Sequence, residues 1–125
     1  MSFSDYAQHG WRLCAITPGK KGPEHSGWNT PDQMVTHPLA AGRLQAAGLC
    51  HAYSGTCAID VDDYQEAEKW LKARGVDLSR LFSDPSAVKI KSPRTNAGKL
   101  IYRTLIPLPS KKISGGSDGT ATILE

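Results

Sequence analysis

No apolar run in the 125 residues approaches the ~20 that a membrane-spanning helix requires. The opening residues, Met1-Ser2-Phe3-Ser4-Asp5-Tyr6, have neither the basic nor the apolar region of a secretion signal. Membrane insertion and secretion are therefore not expected, and a cytoplasmic location is. Cysteine is scarce and odd in number. Cys14, Cys50 and Cys57 predict buried, reduced thiols rather than a disulfide framework, and their spacing with His37 and His51 matches no zinc ribbon or finger. Aromatic residues make up only 7%; Trp11, Trp28 and Trp70 are expected in the core rather than stacked on bases. Acid is missing most unevenly. Between Asp84 and Asp118 there is none, while Lys89, Lys91, Arg94, Lys99, Arg103, Lys111 and Lys112 fall there. Such a segment suits a polyanion, although a solvated strand face followed by a basic loop has the same composition.

What is present fits one globular domain over residues 1–125, with 39% hydrophobic and 22% charged residues. Residues 4–10 read as a short helix with Ser4 as its cap, and 11–16 as a first strand. The Gly- and Pro-rich stretch 17–23 ends that strand and leaves Lys20 and Lys21 on a loop that is either a plain turn or a contact for phosphate. Gly27-Trp28 is expected to anchor the next loop to the core. A helix over 38–48 opens on Pro38 and stops at Gly48. Residues 49–53 and 57–61 are expected to form a β-hairpin around Ser54-Gly55-Thr56. A helix then follows with Ala67, Trp70 and Leu71 on its apolar stripe and Gly75 at its end. Asp77 caps a single helical turn to Phe82. Residues 87–91 and 99–105 form an antiparallel pair, 107–119 a loop, and 121–125 the start of another strand. The chain stops inside that element, which predicts a fragment of a longer protein.

The densest chemistry lies in Cys57-Ala58-Ile59-Asp60-Val61-Asp62-Asp63. Ala58, Ile59 and Val61 give it the character of a buried strand, yet Asp60 and Asp62, two residues apart, point to one face. Two like charges there are tolerable at a strand end open to water or beside a divalent cation, so the spacing suggests an Asp-x-Asp metal site. Helix capping by Asp62 or Asp63 is the competing explanation.

Three features stand in order: the Asp-x-Asp strand end, a basic strand after the Ser92-Pro93-Arg94 turn, and an apolar strand ending in Glu125. That succession resembles the N-terminal domain of bifunctional primase-polymerases, in the archaeo-eukaryotic primase superfamily of phages, prophages and plasmids, over nearly the whole chain. The loop ending in Lys20-Lys21-Gly22-Pro23, then Gly27-Trp28 and the Gly55-containing approach to Asp60, match the family's opening. The resemblance implies an α/β (α+β) fold with a mostly antiparallel central sheet and flanking helices. It implies metal-dependent, template-directed nucleotidyl transfer, with Asp60, Asp62 and Glu125 as catalytic ligands for Mg²⁺ or Mn²⁺. Ser92, Arg94, Lys99 and Arg103 would bind the nucleotide, and Lys20 and Lys21 phosphate or DNA. Lys99 stands where the family more often has histidine; a lysine still binds phosphate as a point charge. A single-stranded DNA template, nucleoside triphosphates and a helicase are the implied partners. An inactive nucleic-acid-binding fragment and a metal-dependent nuclease are the alternative functions.

Overall fold

The computed structural model describes residues 2–116 and 119–125. The chain divides into two compact units, Met1–Thr56 with Leu105–Pro107, and Cys57–Thr104 with Leu108–Glu125. Among the described residues no helix is long and apolar enough to cross a membrane.

The first unit begins with α1 (Phe3–Gln8). Its cap is Ser2, two residues earlier than the sequence suggests, because only from Ser2 does an acid fall at the third helical position. The Asp5 amide donates to Ser2 Oγ at 3.2 Å, and the Ser2 amide donates back to Asp5 Oδ2 at 2.8 Å. Capping from Ser4 would put Ala7 there, which cannot reciprocate. Strand β1 (Leu13–Ala15) follows, then the helix α2 (Pro38–Gly42) and strand β2 (Ala47–Leu49).

The expected helix over 38–48 is thus cut short. Its last residues pair with β1 instead, Cys14 opposite Gly48 and Leu13 opposite Leu49. A Cβ at Gly48 would sit 2.8 Å from Cys14 Sγ, so this pairing needs glycine.

The expected hairpin is also absent. After β2 the chain forms α3 (His51–Ser54) and leaves through Gly55 at φ 64°. Residues 49–53 hold no β-branched side chain to favour a strand, and Ser54 closes the helical turn by donating to the Cys50 carbonyl at 2.8 Å. Trp28 is a further correction: it is exposed, and its loop is held instead by Thr30, whose amide and hydroxyl both reach the Gly27 carbonyl.

Ala7, Leu13 and Ala41 form this unit's main core, and Cys14, Met34 and Cys50 a second, sulfur-rich cluster. Burial, reinforced by the adjacent Cys14 thiol, pushes Cys50 up to about 11 from its usual 9.0. The unfolded chain releases this proton first as pH rises, so the cluster's contribution to stability falls between those values. In the folded protein at pH 8, the half-buried Cys57 should be alkylated by iodoacetamide well before Cys14 or Cys50. Mass spectrometry of a labelling time course checks this, with all three modified only after denaturation.

The second unit is built on a five-stranded sheet. Strand β3 (Thr56–Val61) leads into α4 (Tyr64–Lys72) and α5 (Leu78–Phe82), then β4 (Val88–Lys91), β5 (Gly98–Arg103), β6 (Ile113–Gly115) and β7 (Ala121–Leu124). The strand order is β4-β5-β3-β7-β6, with antiparallel pairing of β4 with β5, β3 with β7, and β6 with β7. The mixed α/β fold, its antiparallel sheets and the β4–β5 pair agree with the sequence reading. Strand β6 lies within the stretch expected to be loop; Ser117 and Asp118 of that stretch lie outside the described residues.

Val61, Ala67, Leu78, Ile123 and Leu124 form the core cluster of this unit, with Ile59, Trp70, Leu71 and Phe82 packed around them; Val61 and Leu124, paired across β3 and β7, face the two helices. Asp77 caps α5 as expected, accepting from the Ser79 and Arg80 amides. The Ser79 hydroxyl and these amides hold the Asp77 carboxyl below its usual value.

Candidate active site

Alternation along β3 assigns Ile59 and Val61 to the helix-packed face and Asp60 and Asp62 to the other. Strand β5 obeys the same division. Gly98 faces the Phe82 ring and the Tyr102 hydroxyl reaches the Leu81 carbonyl, so Lys99 falls on the face of Asp60. Both acids and Lys99 therefore share the side of the sheet turned away from α4 and α5.

Glu125, just past β7, joins them through the backbone. The Asp60 amide donates to the Glu125 carbonyl at 2.8 Å, and the Glu125 amide donates to the Asp60 carbonyl at 2.9 Å. Residues that exchange both bonds are directly opposite, with Cα atoms about 5.5 Å apart. Sixty-odd residues of intervening chain thus bring the two carboxylates side by side.

Each acid has a base. Lys99 Nζ lies 3.5 Å from Asp60, Arg94 3.1 Å from Asp62, and Lys112 3.9 Å from Glu125. Glu125 also accepts from the Ser110 hydroxyl at 2.7 Å. All three pairs are open to solvent, and the Asp60 and Lys99 side chains retain 42% and 39% of their exposure. Pairs this accessible contribute about 0–1 kcal/mol each and exchange readily for other ions.

Asp63 is divided off from this set. It caps α4 by accepting from the Glu66 amide at 3.2 Å, as the capping alternative for that residue requires. It also accepts from Asn96 Nδ2 at 3.0 Å, while the Tyr64 amide donates to the Asn96 carbonyl at 2.8 Å. This double clamp seats the 92–97 turn on the start of α4 and so aims Arg94 at Asp62. Within the turn, Ser92 Oγ accepts from the Arg94 amide at 3.2 Å. Asp63→Ala should cost about 1 kcal/mol in a urea melt, while Asp63→Asn, which still caps, should cost less.

The remaining expected residues lie elsewhere. Arg103 is exposed on the Lys99 face of β5, four residues and thus about 13 Å farther along the strand. Lys20 and Lys21 belong to the first unit, where Lys20 pairs with Glu24 at 3.6 Å.

Sequence reasoning missed Ser110, Lys112 and Asn96 as members of the site. Lys112 stood out only as one lysine in a basic stretch. What assigns it is the pairing of Ile113 with Leu124, which sets the preceding residue beside Glu125.

The donor chemistry suits a hard divalent cation: carboxylate oxygens, with like charges close together that call for a positive partner. As they stand the acids face their bases, and among the described residues no three acidic, histidine or cysteine side chains converge to cage an ion.

No curated protein and no solved structure matches the chain. A family model does, over residues 4–124, which takes in both units and every residue of the site except Glu125. With that match added to the mixed fold and the acid pair flanked by bases, the chain belongs to the bifunctional DNA primase/polymerase N-terminal family.

Proposed function

We propose that this chain carries out metal-dependent, template-directed nucleotidyl transfer in the replication of a phage, prophage or plasmid. The observation that carries the reading is the mutual backbone pairing of Asp60 with Glu125. It sets two carboxylates side by side, with Asp62 next on the same face and a base within 4 Å of each acid.

In this reading Asp60, Asp62 and Glu125 hold Mg²⁺ or Mn²⁺. Such ions, when bound, lower the pKa of the attacking 3′-hydroxyl and neutralise the leaving pyrophosphate. Arg94 and Lys99 leave their carboxylates to bind the triphosphate. Arginine offers a planar fork and lysine a point charge, both suited to phosphate oxygens. Ser92 shapes the turn that carries Arg94, and Arg103 extends the basic face along β5. Lys20 and Lys21 contribute phosphate or DNA contacts. The partners are a single-stranded DNA template, nucleoside triphosphates and a helicase.

Extension of a labelled primer on a DNA template, with Mg²⁺ and with Mn²⁺, tests this. Templated incorporation that disappears in Asp60→Ala supports it. DNA retention without turnover would make the chain a binding module, and strand cleavage lost in the same variant would make it a nuclease.

A further inference from the structure

Four adjacent strands of the second unit's sheet carry a row of charge. Following the order β5-β3-β7-β6, Lys99 faces Asp60, Asp60 lies opposite Glu125, and Glu125 meets Lys112 just before β6. Two carboxylates occupy the middle and one lysine stands on each flank, pointing inward. At about 4.8 Å per strand, the flanking residues are about 14 Å apart, and both ammonium groups reach toward the centre. Lys112 is therefore the counterpart of Lys99 across the acid pair. The Ser110 hydroxyl on Glu125 fixes the segment that presents it.

We propose that Lys112 is a triphosphate-binding residue that occupies Glu125 in the free protein and is handed to the nucleotide when a divalent cation takes the acids. The proposal rests on the nucleotidyl-transfer reading and extends it to a residue outside the basic strand and its turn. Its physical basis is competition. A lysine ammonium and a divalent cation both neutralise Glu125, and they cannot do so together without repelling each other. The Lys112 pair is long and its side chain 66% exposed, so little opposes its release. Once released, the ammonium stands beside the cation site with no carboxylate partner, and an anionic phosphate oxygen is the group that satisfies it. Cation and nucleotide binding then favour each other, because each removes the charge that the other leaves unbalanced.

Lys112→Gln gives effects of opposite sign in two measurements. Without nucleotide, Mn²⁺ titrated by electron paramagnetic resonance should bind roughly two- to fivefold more tightly than to the unaltered protein, since a competing cation is gone. With Mn²⁺ present, a non-hydrolysable nucleoside triphosphate should bind about tenfold more weakly by calorimetry. Lys112→Arg should restore nucleotide binding, and Lys111→Gln, which removes the same net charge from the neighbouring position, should change neither value. A merely structural role for Lys112 would weaken both, and that result overturns the proposal. So does unchanged nucleotide affinity in Lys112→Gln when the unaltered protein binds nucleotide with Mn²⁺. If the unaltered protein binds no nucleotide at all, the nucleotidyl-transfer reading itself falls, whatever the Mn²⁺ titration gives.

Discussion

Asp60→Asn is expected to lower templated incorporation by on the order of 10²–10³ while leaving the melting temperature within a degree or two of the unaltered protein's. The substitution keeps the side-chain volume and leaves untouched the two backbone bonds to Glu125. What it removes is one negative charge at the centre of the row, next to Glu125 on one side and Lys99 on the other. If Asp60 is the metal ligand proposed above, its loss withdraws several kcal/mol of charge stabilisation from the transition state, and each 1.36 kcal/mol is about tenfold in rate. The folded state loses little, because the Lys99 pair is 3.5 Å long and well exposed, within the class that contributes about 0–1 kcal/mol. Activity and stability thus separate, and a primer-extension assay run beside a thermal melt reads both. Incorporation within threefold of the unaltered protein would exclude Asp60 as a metal ligand. Asp62→Asn should also lose incorporation, and it frees Arg94 from its carboxylate as Asp60→Asn frees Lys99.

How far the site could be read from the sequence follows from how local each part is. Asp60 and Asp62 were legible because a two-residue spacing in a strand dictates a shared face, and Asp63 because a cap is decided within three residues. The antiparallel β4–β5 pair was legible for a similar reason: alternation and a short turn are enough to specify it. Lys99 followed from its place in that pair, since alternation along β5 leaves it on one side only. The role proposed for Glu125 came from resemblance rather than from local pattern, since nothing near Ile123-Leu124 says which strand lies alongside. Lys112 was invisible as a site residue because β6 is three residues long and set among serines, glycines and prolines, a composition that reads as loop. Only its partner β7 makes it a strand. The same principle explains the failures in the first unit. Residues 43–48 have a helical composition, but the close approach of Gly48 to Cys14 in the β1–β2 pair overrides it. Residues 49–53 had too weak a strand pattern to resist the turn that Ser54 and Gly55 close.

The site is only as well positioned as the layer beneath it, and Leu78 is a fully buried side chain of that layer. It is completely buried and is among the largest fully buried side chains. It stands at the first position of α5, immediately after the Asp77 cap, and packs in the cluster that joins α4 and α5 to the inner face of β3 and β7. Val61 in that cluster is flanked in sequence by Asp60 and Asp62, and Leu124 immediately precedes Glu125. Leu78→Ala removes buried methyl groups and leaves a cavity that short, capped helices can close only in part. It should cost about 2–5 kcal/mol, against a total stability that for most domains is about 5–15 kcal/mol. With a urea dependence of about 1–3 kcal/mol per molar, the midpoint should fall by one molar or more. Leu78→Met, which conserves volume, should cost less than about 1.5 kcal/mol. In Leu78→Ala the strands that pair Asp60 with Glu125 lose support on their helical face, so hydrogen exchange at those two amides should quicken with the loss of stability. An Ala variant as stable as the Met variant would show that the α5 turn collapses fully onto the cavity, and that the acid pair is held by its own sheet rather than by the helices behind it.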